Sequence, residues 1–170
     1  MKTSDHGVEF VASYEGFKDH PYTDPGRGIW TIGYGHTGPG TQSMGTITHA
    51  RALELLAGDL AIAESAVNGL ALKLTQPQFD ALVSIAFNCG GGIVASSTAL
   101  GKALRSPGMP GVPAALRLYT HAGKKELPGL VKRRNAAYAK RYNLNGLPIA
   151  IASQIINLMH PNCVEIILVD

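Results

Sequence analysis

Apolar and polar positions divide the chain into regimes of different period. Val8, Phe10 (or Val11) and Tyr14 recur at helical spacing over residues 5 to 14. That spacing predicts a short helix capped by Asp5 and ending near Glu15 and Gly16, where glycine lets the chain turn. Between residues 17 and 47 the helical period disappears. Seven glycines fall between Gly26 and Gly45, and Pro21, Pro25 and Pro39 punctuate the same segment, so helix is nearly excluded there. Within it, Ile29, Thr31 and Gly33 alternate with Trp30, Ile32 and Tyr34, which suits a strand of a small sheet. A lobe of this size is too short to own a large core and must lean on something else.

From Thr48 the helical period returns. Leu53, Leu56, Leu60, Ala63 and Val67 stand three or four apart. They predict one helix with Thr48 as N-cap, Gly58 as an internal weak point, and a break at Asn68 and Gly69. Thr75 is a second N-cap, with Pro77 in the first turn. Phe79, Leu82, Val83, Ala86 and Phe87 follow with little charge between them, so this helix reads as buried and central, stopped by Gly90 to Gly92. Shorter helices are predicted over 93–105, Val112 to Tyr119 and 129–142, with Ser106 to Gly111 as a loop. The last segment, LPIAIASQIINLMHPNCVEIILVD, is apolar on almost every face. Its run from Ile149 to Met159 is too short to span a bilayer. It reads as an extra helix and strand on the core, as a self-association surface, or as a poorly ordered tail.

Composition narrows the class. The chain has 170 residues, is 45% hydrophobic and 16% charged, and carries a net charge of +3. That describes one folded domain, or two small lobes sharing a core, and not a disordered chain. The mild basic excess favours an anionic partner only weakly. Without aromatic-basic interleaving, a nucleic-acid partner is not expected. Cys89 and Cys163 form neither a disulfide framework nor a metal-site spacing. His6, His20, His49, His121 and His160 show no ligand spacing either, so no metal and no cofactor is called for. The start, MKTSDHGVEFV, has no apolar stretch of the signal-peptide or anchor kind, which predicts synthesis in the cytoplasm and no stable membrane insertion.

Chemistry concentrates between Tyr14 and Thr37. Glu15 stands at the seam between the first helix and the glycine-rich lobe. Partial burial at such a seam keeps a proton on a carboxyl near neutral pH and makes Glu15 a candidate acid. Asp24, in a more exposed turn before Pro25-Gly26, is a candidate base or water-holding carboxylate, and Thr31 can reach the same water from its strand. The bland readings stay open beside these. Glu15 is equally an ordinary surface carboxylate, and Asp24 an Asx-turn residue. His36 reads as a structural histidine paired with Asp59 or Glu54. Lys132, Arg133 and Arg134 face an anionic substrate, or form a solvated helix face with Arg133 pairing to an acid at the core edge.

The stretch EGFKDHPYTDPGRGIWTIGYGHT, with QPQFDALVSIAFNCGGG, SST and GLVKRR after it, resembles the bacteriophage-type lysozymes, the endolysins of tailed phages. The resemblance covers about residues 8 to 142. It implies an α+β, mostly helical lysozyme-like fold with a small antiparallel β-lobe (about 17–47), a helical lobe (about 48–146) joined to it by a long helix, and a cleft between the two. Residues 147–170 are an extension without counterpart. By position, Glu15 looks like the general acid, Asp24 the carboxylate that positions the attacking water, and Thr31 the third member beside that water. Tyr34, Gly35, Phe87 and Asn88 fall where the family lines its saccharide cleft, while His36 and Arg133 take structural places.

The implied reaction is hydrolysis of the β-1,4 bond from N-acetylmuramic acid to N-acetylglucosamine in peptidoglycan, with inversion. The implied setting is a monomer, possibly self-associating through the apolar tail, that waits in the host cytoplasm until it is released to the wall. Two departures bear on the site. Six residues separate Asp24 from Thr31 where common members have five; the extra one either swells the turn at Pro25 to Gly28 or shifts the strand register. The late helix also lacks the acid that usually follows its arginine pair. The rivals are a lytic transglycosylase, which needs one acid and no water, and a wall-binding module without turnover.

Overall fold

The computed structural model describes residues 1–24, 28–122 and 125–141. Helix α1 (Asp5–Ala12) leads into a three-stranded antiparallel sheet of β1 (Lys18–Thr23), β2 (Trp30–Gly33) and β3 (His36–Thr37), in that order across the sheet. A 3₁₀ turn (Thr41–Ser43) follows. The helical part comprises α2 (His49–Asp59), α3 (Ala61–Asn68), α4 (Gln76–Cys89), α5 (Ala99–Arg105), α6 (Val112–Arg117) and α7 (Pro128–Arg141). A short hairpin, β4 (His121–Ala122) with β5 (Lys125–Glu126), sits between α6 and α7. This is an α+β, mostly helical fold. The proposed tail, 147–170, lies outside the described residues.

Helix α4 is the hub. Eight consecutive residues, Phe79 to Ala86, are buried, and α1, α3, α7 and the 3₁₀ turn at Gly91–Val94 pack around it. Its start is a capping box in which Thr75 and Gln78 satisfy each other's backbone N–H. Its end is set by Gly90 at φ 85°, a left-handed region where a side chain is strained.

Two buried acids of the helical part hold the start of the chain. Asp80 accepts from the Ser4 amide at 3.1 Å and from the Ser4 hydroxyl at 2.6 Å, while Ser4 Oγ accepts from the Gly7 amide. Ser4, not Asp5, is therefore the N-cap of α1. Glu64, 4% exposed, accepts from the Thr3 amide at 2.8 Å and pairs with Lys2 at 2.9 Å. Burial pushes the Glu64 carboxyl up, but the Thr3 amide and Lys2 outweigh it and leave the group below its ordinary value.

Several expected boundaries move. Helix α1 stops at Ala12, and Glu15 sits in the following turn, its amide donating to Ala12 O at 3.1 Å. The single helix expected from Thr48 to Val67 is two, broken at Leu60, which is fully buried and belongs to neither. Gly58 is not the break, because nothing crowds it and its backbone stays helical. The helix expected over 93–105 is a 3₁₀ turn followed by α5, which Thr98 caps through the Gly101 amide. Helix α6 ends at Arg117, short of Tyr119, and α7 starts at Pro128. Strand β1 and the β4–β5 hairpin are additions, since neither shows a long alternating run.

Candidate active site

The β1–β2 hairpin decides where Asp24 and Thr31 fall. Tyr22 pairs with Thr31 and Thr23 with Trp30. The Asp24 amide donates to Ile29 O at 2.9 Å, so the pairing continues one step further. Residues opposite each other share a sheet face, and every second residue returns to it. Tyr22, Asp24 and Thr31 are therefore on one face. Gly28, at φ 66°, donates its amide to Asp24 O. The register of this chain sets Thr31 opposite Tyr22; the segment Pro25 to Arg27, where the extra residue was expected to swell the turn, lies outside the described residues.

Thr31 is 2% exposed. Its hydroxyl donates to Ile29 O at 3.1 Å. Its backbone is held on both sides, by Tyr22 in β1 and Thr37 in β3. A neighbouring turn carries Tyr34 and Gly35. Gly35 has φ 91° and open space where a Cβ would stand. Tyr34 is half-buried; its ring lies 5.4 Å from that of Phe17, and its hydroxyl bonds His49 Nδ1 at 3.1 Å.

Glu15 stands in the turn after α1. Its side chain is 28% exposed, and Oε1 accepts from Arg133 Nη1 at 2.8 Å. Arg133 is buried at 3%. It reaches Ser84 O with Nη2 at 3.4 Å and lies 5.4 Å from the centre of the Tyr14 ring. The arginine pair therefore has an acid, supplied by the first turn of the chain and not by its own helix. Arg133 pairs to an acid at the core edge and does not sit on a solvated face. Burial raises the Tyr14 phenol, and the Arg133 charge pulls it part of the way back.

Arg134 is also buried, at 2%. It donates to Asn88 Oδ1 from Nη2, to Cys89 Sγ at 3.2 Å, and to Tyr119 O from Nε at 3.2 Å. Burial lowers its guanidinium below the ordinary range; the Cys89 contact opposes that and the neighbouring Arg133 charge adds to it. Asn88 stays exposed at the end of α4, with its carbonyl oriented by this arginine. Phe87 packs half-buried at the edge of the core. His36 Nδ1 bonds both carboxylate oxygens of Asp59, at 2.9 and 3.0 Å. Asp59, and not Glu54, is its partner, since Glu54 pairs with Arg51 at 2.7 Å.

Sequence reasoning did not find the roles of Arg134 and His49. The arginine run gave no sign that Arg134 faces inward beside Arg133. His49 follows a capping threonine and otherwise carries no local signal. Among the described residues no group of acids, histidines and cysteines could hold a metal ion, and no helix is long and apolar enough to cross a membrane.

Comparisons with known proteins bear on the family and the fold. The family model described as phage lysozyme matches residues 12–137. An endolysin of Bacillus phage B103 is 35% identical over 139 residues, covering 79% of this chain and 51% of the relative. An endolysin of Salmonella phage P22 is 37% identical over 139 residues, covering 79% of this chain and 94% of the relative. The chain thus spans about half the length of the Bacillus phage relatives it matches. Among solved structures, the muramidase domain of SpmX from Asticaccaulis excentricus superposes with a TM-score of 0.71 at 34% identity, covering 82% of this chain and 96% of that one. With a family match over most of its length and relatives above 30% identity, this chain belongs to the phage lysozyme family.

Proposed function

We propose that the chain is an endolysin muramidase, hydrolysing the β-1,4 bond between N-acetylmuramic acid and N-acetylglucosamine with inversion. The observation that carries this reading is the shared sheet face of Asp24 and Thr31 in the hairpin that follows Glu15. Glycoside hydrolysis by single displacement needs an acid on one side of the sugar and a held water on the other. Glu15 is the acid: it protonates the leaving oxygen as the ring gains oxocarbenium character. Asp24 and Thr31 hold the water.

The hydrogen bonding of Thr31 adds a directional argument. Its hydroxyl proton is committed to Ile29 O, so its oxygen is left to accept. A water that donates one proton to Thr31 and the other to the Asp24 carboxylate has both lone pairs free for the anomeric carbon. Asp24 then takes a proton as the bond forms, which is general-base work. Tyr34, Gly35, Phe87 and Asn88 line the saccharide path. His36 and Arg133 hold the fold around it. Peptidoglycan is the partner; the chain works as a monomer, without nucleic acid, and reaches the wall by release during lysis.

The test is product chemistry on purified peptidoglycan. Wild-type protein releases muropeptides with reducing ends, and the first product seen by NMR carries the inverted anomer. Glu15→Gln abolishes release. Anhydromuramyl ends in the mass spectrum replace this reading with a transglycosylase, and an intact wall with tight binding replaces it with a module without turnover.

A further inference from the structure

The β-lobe is inserted between α1 and α2, so the chain enters it once, near residue 17, and leaves it once, near residue 49. These two crossings run side by side. Phe17 and His49 stack with ring centroids 3.7 Å apart and planes 22° from parallel. One step inward, the Ile47 amide donates to Asp19 O at 2.9 Å. Further in, His20 Nε2 bonds Thr46 Oγ1 at 2.9 Å, while His20 Nδ1 is held by Asp19 at 2.8 Å. The pairs 17 with 49, 19 with 47 and 20 with 46 keep one antiparallel register. The crossings are thus zipped into a neck, with the Phe17–His49 stack at its outer end.

The outer end is also the end nearest Glu15. That residue stands two positions before Phe17 and outside any helix. From the helical side Glu15 is tied by Arg133. From the lobe side its segment is tied through Phe17 to His49, the first residue of α2. Helix α2 carries the lobe in turn: Gly33 of β2 lies against Ala52, His36 pairs with Asp59, and the Tyr34 hydroxyl bonds His49 itself. Resting on the reading of Glu15 as the acid, we propose that His49 is a positioning residue for the reaction. Its stack on Phe17 fixes the Glu15 segment against the unit that carries Asp24 and Thr31. His49 touches no reacting atom; it sets the distance over which the acid and the held water must cooperate.

The experiment compares turnover and KM on soluble peptidoglycan fragments for wild type, His49→Ala, His49→Phe, Phe17→Ala, the double variant with both alanines, and Glu15→Gln, with unfolding curves for each. Misplacing a reacting group by even an ångström is costly, so His49→Ala lowers kcat about tenfold with KM little changed, at temperatures where the protein stays folded. Phenylalanine keeps the stack, so His49→Phe holds kcat within about twofold of wild type. The double alanine variant loses less than the product of the two single losses, because the Phe17–His49 stack is common to both, although each residue also touches Tyr34; losses that simply multiply overturn the inference. The inference is overturned if His49→Ala turns over at the wild-type rate while Glu15→Gln is dead, a result that leaves the reading of Glu15 standing. It is also overturned if His49→Phe is as slow as His49→Ala, or if kcat merely follows the folded fraction. An active Glu15→Gln overturns the reading of the acid, and this inference with it.

Discussion

Arg133 Nη1 donates to Glu15 Oε1 at 2.8 Å across 118 positions of sequence. The guanidinium is almost wholly buried, whereas the carboxylate keeps 28% of its side chain exposed. Replacing the acid side chain and removing the cation therefore have different consequences. Glu15→Gln leaves an amide oxygen that still accepts, so stability changes little while turnover is lost. Arg133→Ala removes a buried group that also reaches Ser84 O and the Tyr14 ring. Breaking a buried pair costs about 3–5 kcal/mol, and the exposure of Glu15 reduces that to about 2–3. For a chain of this size the midpoint falls by about 5–10 °C in a thermal melt. Lysine does not restore it, because its single nitrogen lacks the planar fork that puts separate nitrogens at Glu15 and Ser84 O and a flat face over Tyr14. A melt of Arg133→Lys equal to wild type would contradict the two-armed role of the guanidinium.

Thr31 permits a cleaner separation of fold from chemistry. Its hydroxyl makes one local bond, to Ile29 O, and its backbone is held by strands on both sides. Thr31→Val keeps the shape and β propensity but leaves nothing to accept a proton from water. The expected loss of kcat is about a hundredfold, the range for a positioned proton partner. The expected stability change is about 1 kcal/mol, one neutral hydrogen bond. Parallel steady-state and denaturant measurements check both. A variant that loses stability in proportion to rate would reassign Thr31 to the fold.

Glu64 gives the protein an acid limb that owes nothing to catalysis. Its carboxyl lies below the ordinary value in the folded protein, because the Thr3 amide and Lys2 outweigh the penalty of burial. A depressed carboxyl contributes stability that is present above its unfolded pKa, about 4.3, and is lost as pH falls through the folded value. Wild-type stability should therefore decline below about pH 4.3 more steeply than that of Glu64→Gln. Urea unfolding at neutral pH and at several points below pH 5 reads the two slopes. Parallel curves would show that another carboxylate governs the limb.

Legibility in the sequence followed locality. The caps at Thr48 and Thr75, the stop at Gly90 and the buried run of α4 were readable because each is set by residues a few positions apart. The partner of His36 was narrowed to two acids, and the structure selects Asp59. Strand β1 was missed because KDHPYT is polar and half-exposed, carrying no alternation, and is a strand only because β2 pairs with it. The break at Leu60 was missed because a buried leucine looks the same on either side of a helix boundary. At the site, the types and order of Glu15, Asp24 and Thr31 stood out. Their surroundings were legible only in part: an acid at the core edge was one reading of Arg133 but Glu15 was not named as that acid, and the Phe17–His49 stack joins residues whose separation in sequence carries no period.

The glycine of Thr31-Ile32-Gly33 shows how the β-lobe is seated and supplies a last test. Gly33 has φ 64°, and a Cβ built on it would stand 3.1 Å from the Ala52 methyl and 3.4 Å from Ile47. Alanine at Gly33 meets two separate penalties. The left-handed backbone costs about 1–2 kcal/mol whatever the surroundings. The close contact pushes β2 away from α2, and with it Thr31, two positions upstream on the same strand. Gly33→Ala therefore lowers the melting midpoint by about 2–8 °C and also lowers kcat. Opening the facing surface with Ala52→Gly distinguishes the two effects. The added glycine costs about 1 kcal/mol of helix stability, so the double variant melts no higher than Gly33→Ala. Its turnover recovers, because β2 can settle back against the helix. A double variant as slow as Gly33→Ala would place the damage in the backbone twist itself and not in the spacing between sheet and helix.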